Sequence, residues 1–266
     1  MGSVAAFCCT GLVECPEEHS VAEHPTFPNP TIKEALCEIH FALPEDVQWH
    51  SELYGAFFKH IQPEFPSLEP VTSAGLQVQL TSGRVGFLQP QSRMRYKHVS
   101  RNLLLQLSES ILTVNVLPKY PGWTQMQADI AQAWMWARDV LKPTGITRIG
   151  LRYINFVPKA SQEEAPGDWF APNDYVARAV LASPAGLLSR AEVHDTPLRR
   201  VVVTLGEAVE AEAPMFVLDV DCVEEAEKGE YLDLTPVLSS LHETAWQVFS
   251  GFMTPRLRRF LDGGAP

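Results

Sequence analysis

The chain has 266 residues, 45% hydrophobic and 20% charged, with a formal net charge of -11. That length and balance describe a globular chain with a sizeable core and exclude a disordered or collagen-like one. The acidic charge argues against nucleic acid and anionic membranes as partners, and no apolar run approaches the length of a membrane span.

Residues 1–28 hold Cys8, Cys9, Cys15, His19 and His24, then a proline-rich stretch, and read as a flexible leader. These are metal-competent side chains, but their spacing fits no common zinc pattern, so no metal and no cofactor is expected. The remaining cysteines are Cys37 and Cys222. An odd total of five, with no basic region ahead of an apolar segment, predicts reduced thiols and a cytoplasmic location.

Glu34 to Leu43 alternates as a strand, with Cys37, Ile39 and Phe41 on its apolar side. Trp49 to Ile61 carries Leu53, Phe57 and Ile61 at helical spacing and is closed by Pro63 and Pro66. Four strand-like runs follow: Leu76–Thr81, Val85–Leu88, Arg93–Arg101 and Leu103–Leu117, the last divided by a turn at Ser108-Glu109-Ser110. Trp123 to Leu141 is the clearest helix, with an aromatic and aliphatic stripe read as core, Thr124 as a possible cap and Lys142-Pro143-Thr144-Gly145 as its end.

Gly145 to Pro158 is the longest strand. Thr147, Ile149, Leu151, Tyr153, Asn155 and Val157 share one face, and Arg148, Gly150, Arg152, Ile154 and Phe156 the other. Gly150 predicts a bulge or a close approach there. An acidic, proline-containing segment runs to Pro184, with a short helix around Asn173–Leu181. Strands are then expected at Leu187–His194, Leu198–Leu205 and Met215–Val223, followed by an acidic loop, Glu224–Glu230. The next helix is capped at Asp233 or Thr235 and lined by Leu238, Leu241, Ala245, Val248 and Phe252. Thr254-Pro255 opens a short basic helix, and Gly263–Pro266 reads as a disordered tail.

The order strand, helix, strands, helix occurs twice, which divides the chain into a leader (1–28), two α+β halves (29–143 and 144–262) and a tail (263–266). The faint echo of Glu38-Ile39-His40-Phe41 in Tyr153-Ile154-Asn155-Phe156 supports an internal duplication. The expected fold is α+β: a curved, pseudo-duplicated antiparallel sheet with helices on one face, like the saddle of TATA-binding proteins, with a helix-grip arrangement as the alternative.

Four segments carry a family resemblance. They are Asn29 to Ile39, Leu117-Pro118-Lys119-Tyr120-Pro121-Gly122-Trp123, Thr147-Arg148-Ile149-Gly150-Leu151-Arg152-Tyr153-Ile154-Asn155, and Leu241-His242-Glu243 followed by Phe249 and Thr254. In order and spacing they resemble a sporadically distributed family of prokaryotic proteins whose function is not established. The resemblance covers the chain from about Pro28 to Leu261 and implies no catalytic residues.

Strand parity alone assembles a polar face from Glu38, His40, Gln77, Gln79, Thr113, Asn115, Arg148, Arg152, Arg190, Glu192, His194, Arg200, Thr204, Asp219 and Asp221. Within it, Arg148, Arg152, Arg190, His194, Arg200, Asp219 and Asp221 are the candidate contacts for an anionic ligand, against the plainer reading of a solvated face laced with ion pairs. Arg93, Arg95, Lys97 and Arg101 form a basic stripe suited to a protein partner, or to the Glu224–Glu230 loop of a second copy in a homodimer. Whether the chain is an enzyme stays open. There is no phosphate-binding glycine loop and no nucleophile elbow, and His242-Glu243 lacks the second histidine of a zinc helix because Trp246 stands there. The first reading is a non-enzymatic module that binds a protein partner. The alternative is a sensor or enzyme for a small anionic molecule.

Overall fold

Strand β8 (Gly145–Pro158) is the middle of the molecule. On one side it pairs with β1 (Ile32–Ala42), with Glu38 opposite Gly150 and Leu36 opposite Arg152. On the other it pairs with β11 (Ala213–Glu225), with Asp221 opposite Arg152. The computed structural model describes residues 24–265 except 74–75, 80–83, 88–90, 162, 183–185 and 211–212. Cys8, Cys9, Cys15 and His19 lie outside the described residues.

The other strands are β2 (Ser67–Ser73), β3 (Leu76–Gln79), β4 (Arg84–Phe87), β5 (Gln91–Lys97), β6 (Leu103–Leu107), β7 (Ile111–Val116), β9 (Leu188–Thr196) and β10 (Arg199–Glu210). Nine strands form one open antiparallel sheet in the order β2-β5-β6-β7-β1-β8-β11-β10-β9. The helices are α1 (Glu52–Ile61), α2 (Trp123–Leu141), α3 (Arg178–Leu181), α4 (Leu234–Gly251) and α5 (Pro255–Leu261), and the fold is α+β.

Alternation decides which face is covered. Cys37, Ile39, Ile149, Leu151, Val220, Cys222, Val203 and Leu205 all share one side of the sheet and are fully or almost fully buried. Helices α2 and α4 lie on that side, contributing Met126, Ile130, Ala133 and Ala137 from one and Leu238, Leu241 and Ala245 from the other. Each large aliphatic side chain buried this way contributes about 1.5–3 kcal/mol, which outweighs the propensity of any single residue. Arg199 ties α4 to β10 by donating from Nη2 to the Ser240 carbonyl (3.1 Å) and to Thr244 Oγ1 (2.9 Å).

The parity expected for β8 holds from Arg148 through Val157, with Tyr153 8% and Asn155 2% exposed on the covered side, but not at Thr147: the register shift opposite His40 and Phe41 skips it, and Ile146 is buried instead. Three other expectations are corrected. Gly150 sits in no bulge: the β1–β8 register shifts only between Ile32 and Glu34 and between His40 and Phe41, and a Cβ at Gly150 would meet nothing closer than 3.9 Å. Strand β2 was not foreseen: it follows Pro66, read as the end of the helix, and contains Pro70. Pro70 is accommodated because β2 is the outermost strand, where a missing N–H breaks no ladder. Residues 24–28 are not loose. The Phe27 ring lies 6.2 Å from that of Trp246 and has the Arg258 guanidinium over it at 5.1 Å, and just beyond, the Asn29 N–H donates to the Leu261 carbonyl. At the other end, Gly263 and Gly264 donate back to Phe260 and Arg259, so the described part of the tail closes α5.

The echo between residues 38–41 and 153–156 is out of phase in space. Ile39 is buried under the helices, whereas Ile154 lies on the opposite face, as a one-residue offset between alternating strands requires.

Helix α2 ends on Lys142 in the left-handed region, with φ 52° and ψ 46°, and its N–H donates to the Arg138 carbonyl. A side chain with a Cβ is strained there, and glycine is not. Lys142→Gly is therefore expected to raise stability by about 0.5–1 kcal/mol in urea unfolding, whereas Lys142→Val lowers it.

Candidate functional site

The covered face of the sheet is incompletely filled. Between it and helices α2 and α4 lies a cavity of about 530 Å3. Strand β8 supplies Tyr153 and Asn155, the residues entering α2 supply Tyr120 and Trp123, and α4 supplies His242, Ala245 and Trp246. The segment ahead of β1 closes one side with His24 and Phe27.

Asn155 occupies a core position in its strand and is satisfied within the chain. Thr31 Oγ1 donates to its Oδ1 (3.0 Å), and its Nδ2 donates to the Leu218 carbonyl (3.3 Å). Two residues earlier, and so on the same face, the Tyr153 hydroxyl stands 3.1 Å from His242 Nδ1. Burial pushes the Tyr153 pKa well above the phenol range, so the hydroxyl keeps its proton, and it donates to Nδ1 in the tautomer of His242 that carries its proton on Nε2. Burial, with the nearby His24 as a smaller cause, pushes the His242 imidazole down to about 4, so it is neutral near pH 7. The ring lies flat on the Trp123 indole, with centroids 3.9 Å apart and planes 9° from parallel.

Two lining groups are left over. Tyr120 meets Tyr153 edge-on at 6.0 Å, and burial pushes its pKa up to about 12. Its buried hydroxyl stands next to that of Tyr153 without a hydrogen bond of ordinary geometry. The Trp123 indole N–H is likewise buried without an acceptor. Buried donors of this kind are exceptional in a folded protein, because each costs about 1–3 kcal/mol when left unmade. At the rim, His24 is stacked on Trp246 (4.7 Å, 20°), and its Nε2 is 2.9 Å from a Glu243 oxygen.

The polar face forms largely as parity requires. Arg152 grips Asp219 with two hydrogen bonds, Nε to Oδ1 at 2.8 Å and Nη2 to Oδ2 at 2.6 Å. That pairing holds its pKa above the ordinary guanidinium value. Arg200 donates to Glu225 (2.7 Å) and lies 3.8 Å from Glu192, which also meets Arg190 (3.2 Å) and His194 (3.3 Å). The hydrogen bond with Arg200 holds Glu225 below the usual carboxylate range. Arg148 bridges His40 (3.2 Å) and Glu225 (4.0 Å). Glu38 is held below the usual range first by His40, then by Arg93 and Arg148. Asp221 is raised, chiefly by burial. A cleft of about 180 Å3 lies between Arg93, Arg148 and Arg152. Gln77 and Gln79 are not on this face: they belong to a separate hairpin of β3 and β4. Every arginine named as an anion contact is thus matched by an acid or histidine of the same chain.

The basic stripe divides. Arg93 pairs with Glu38 (3.5 Å), Arg95 with Glu69 (3.2 Å), and Lys97, the last residue of β5, is exposed. Arg101 does not continue the stripe, because β5 ends at Lys97 and the chain turns. Its Nη1 instead reaches Asp129 on α2, at 2.8 and 2.9 Å from the two carboxylate oxygens. The acidic loop is also partly engaged, with Glu224 3.5 Å from Arg199.

Cys37 and Cys222 are fully buried, and burial raises both thiols, that of Cys222 to about 12. Both are expected to resist iodoacetamide at pH 8 in the folded protein and to react fully in guanidinium, as peptide mass spectrometry would show.

The cavity residues were hidden in the sequence because each has an ordinary role there. Trp123 sits on a helix stripe and Tyr153 on a core face, while His242 lacks a zinc partner. The signal that was present is Asn155, a polar residue at a core position of the longest strand. No protein-family model matches the chain, and no curated protein matches it. Among the described residues no helix is long and apolar enough to cross a membrane.

Proposed function

We propose that this protein binds a small organic molecule in the cavity between its sheet and helices α2 and α4. The observation that carries the reading is a cavity of about 530 Å3 whose lining includes two buried donors without acceptors, Tyr120 and Trp123. Ligand sites of this size, mostly apolar with a few placed polar groups, are common between layers of secondary structure. Burial holds Tyr120, Tyr153 and His242 in their neutral forms, which suits recognition, and no reaction is assigned to them. The reading moves the site away from the arginines of the polar face, whose charges are already met within the chain. Native mass spectrometry of protein purified from its own cells tests it. The wild type should carry a small non-covalent adduct that Ala245→Trp, which fills the cavity, loses. An adduct kept by the filled variant, or a bare wild type, would overturn the reading.

A protein partner is the second reading, and β9 favours it. This strand is an edge of the sheet and is exposed on both faces, with Leu188 78% and Val193 43% accessible, and it carries Arg190 and His194. An exposed edge is a template for pairing with another chain. A photo-crosslinking residue at Val193 should then capture one protein of defined mass in cells, a second copy of this chain included, and scattered capture would count against it.

The proposal extends to the architecture. β7 lies beside β1 as β11 lies beside β8, which supports a duplicated pair of halves meeting at β1 and β8 in a saddle-like sheet. It extends also to the family resemblance, because the segment from Thr147 to Asn155 supplies the cavity with Tyr153 and Asn155.

A further inference from the structure

We infer that the occupant of this cavity is an uncharged molecule with an apolar body and an accepting oxygen, such as a ketone, ester or amide carbonyl. The inference rests on the cavity reading above and concerns only the ligand's chemistry. One in five residues of this chain is charged, yet among the described residues none that lines the cavity is Asp, Glu, Lys or Arg. A ligand carrying a full charge would enter with no counter-charge from the walls, and an unpaired charge in an apolar enclosure is strongly disfavoured. The lining holds two histidines among the described residues, and both are engaged. His24 is set against Glu243 at the rim, and His242 is hydrogen-bonded to Tyr153 and stacked on Trp123.

The polarity of the unmet groups gives the second half of the argument. Tyr120 offers a hydroxyl and Trp123 an indole N–H, both buried and both without an acceptor. Asn155 Oδ1 already accepts from Thr31, His242 Nδ1 is engaged by Tyr153, and the adjacent Tyr153 oxygen makes no hydrogen bond of ordinary geometry with Tyr120. A ligand acceptor satisfies Tyr120 and Trp123, whereas a ligand that only donates leaves them unmade. The walls are aromatic (Tyr120, Trp123, Tyr153, Trp246), so the body in contact with them is apolar.

Four naphthalene probes of one shape separate these statements: 2-acetonaphthone, 2-naphthoate, 2-(aminomethyl)naphthalene and naphthalene itself. Their dissociation constants are measured by calorimetry at pH 7.5 on the wild type, Tyr120→Phe and Ala245→Trp. The ketone should bind about tenfold more tightly than either charged probe and several-fold more tightly than naphthalene. Tyr120→Phe should remove the ketone's advantage over naphthalene while leaving naphthalene binding intact. Naphthoate or the amine binding as tightly as the ketone, with binding lost in Ala245→Trp, would overturn the uncharged ligand and leave the cavity reading standing. Binding that ignores Ala245→Trp, or no binding by any probe, would overturn both.

Discussion

Acidification from pH 7 to 4 is expected to cost the wild-type protein about 2–3 kcal/mol more folding free energy than it costs His242→Phe. The His242 imidazole is pushed down to about 4 in the folded chain, from an ordinary value of 6.5, first by burial and then by His24. A base with a depressed pKa favours the folded state in its neutral form. Its contribution is therefore whole above pH 6.5, falls as the pH drops through that value, and is lost by about pH 4. Phenylalanine keeps the stack on Trp123 but has nothing to protonate. Every other titratable group is common to the two proteins, so the difference between the two stability curves isolates His242. Urea unfolding at half-unit intervals of pH measures it. Parallel curves would show that His242 reaches solvent and is not enclosed with Tyr153.

Arg101→Ala is expected to destabilise the fold by about 3 kcal/mol, a fall of about 6–12 °C in Tm for a chain of this size. Asp129 is 9% exposed, and its two oxygens take 2.8 and 2.9 Å hydrogen bonds from Arg101 Nη1. Without Arg101, Gln125 Nε2 still donates to it at 3.0 Å, too little to offset a buried carboxylate. Removing both charges is a different matter, because it leaves no buried carboxylate without its partner: Asp129 is the buried member of the pair and Arg101 is partly exposed. The double variant Arg101→Met, Asp129→Leu should recover most of the loss. A cycle in which the two single losses simply add would show that the pair is not coupled.

The fold was legible wherever one period dominated. The fourteen-residue alternation of β8 and the stripe of α2 give both elements at their observed bounds. Legibility failed where tertiary position overrides local chemistry. β2 carries two prolines in or beside it and survives because it is an edge, and a sequence does not display which strand will be outermost. Arg101 falls in step with Arg93 and Arg95 in the chain, yet the end of β5 sends it to the other side of the sheet and onto Asp129.

The site was legible by halves for a related reason. Parity collects one face of a sheet, so Arg148, Arg152, Asp219 and Asp221 could be placed together from strand phase alone. It does not show that their charges cancel, since pairing depends on strand order, and β11 was not known to neighbour β8. The cavity draws on residues from His24 to Leu261, and its aromatic side chains are what a filled core also uses. Only packing distinguishes an aromatic that fills space from one that borders it.

The central claim is that the space between the sheet and helices α2 and α4 is occupied when the protein works. A crystal structure of the protein purified from its own cells, without added ligand, tests this most directly. The account predicts a bound organic molecule in that space, with an oxygen within hydrogen-bond reach of the Tyr120 hydroxyl or the Trp123 indole N–H. A cavity closed by its own side chains, with Tyr120 and Trp123 bonded to the chain, would contradict it.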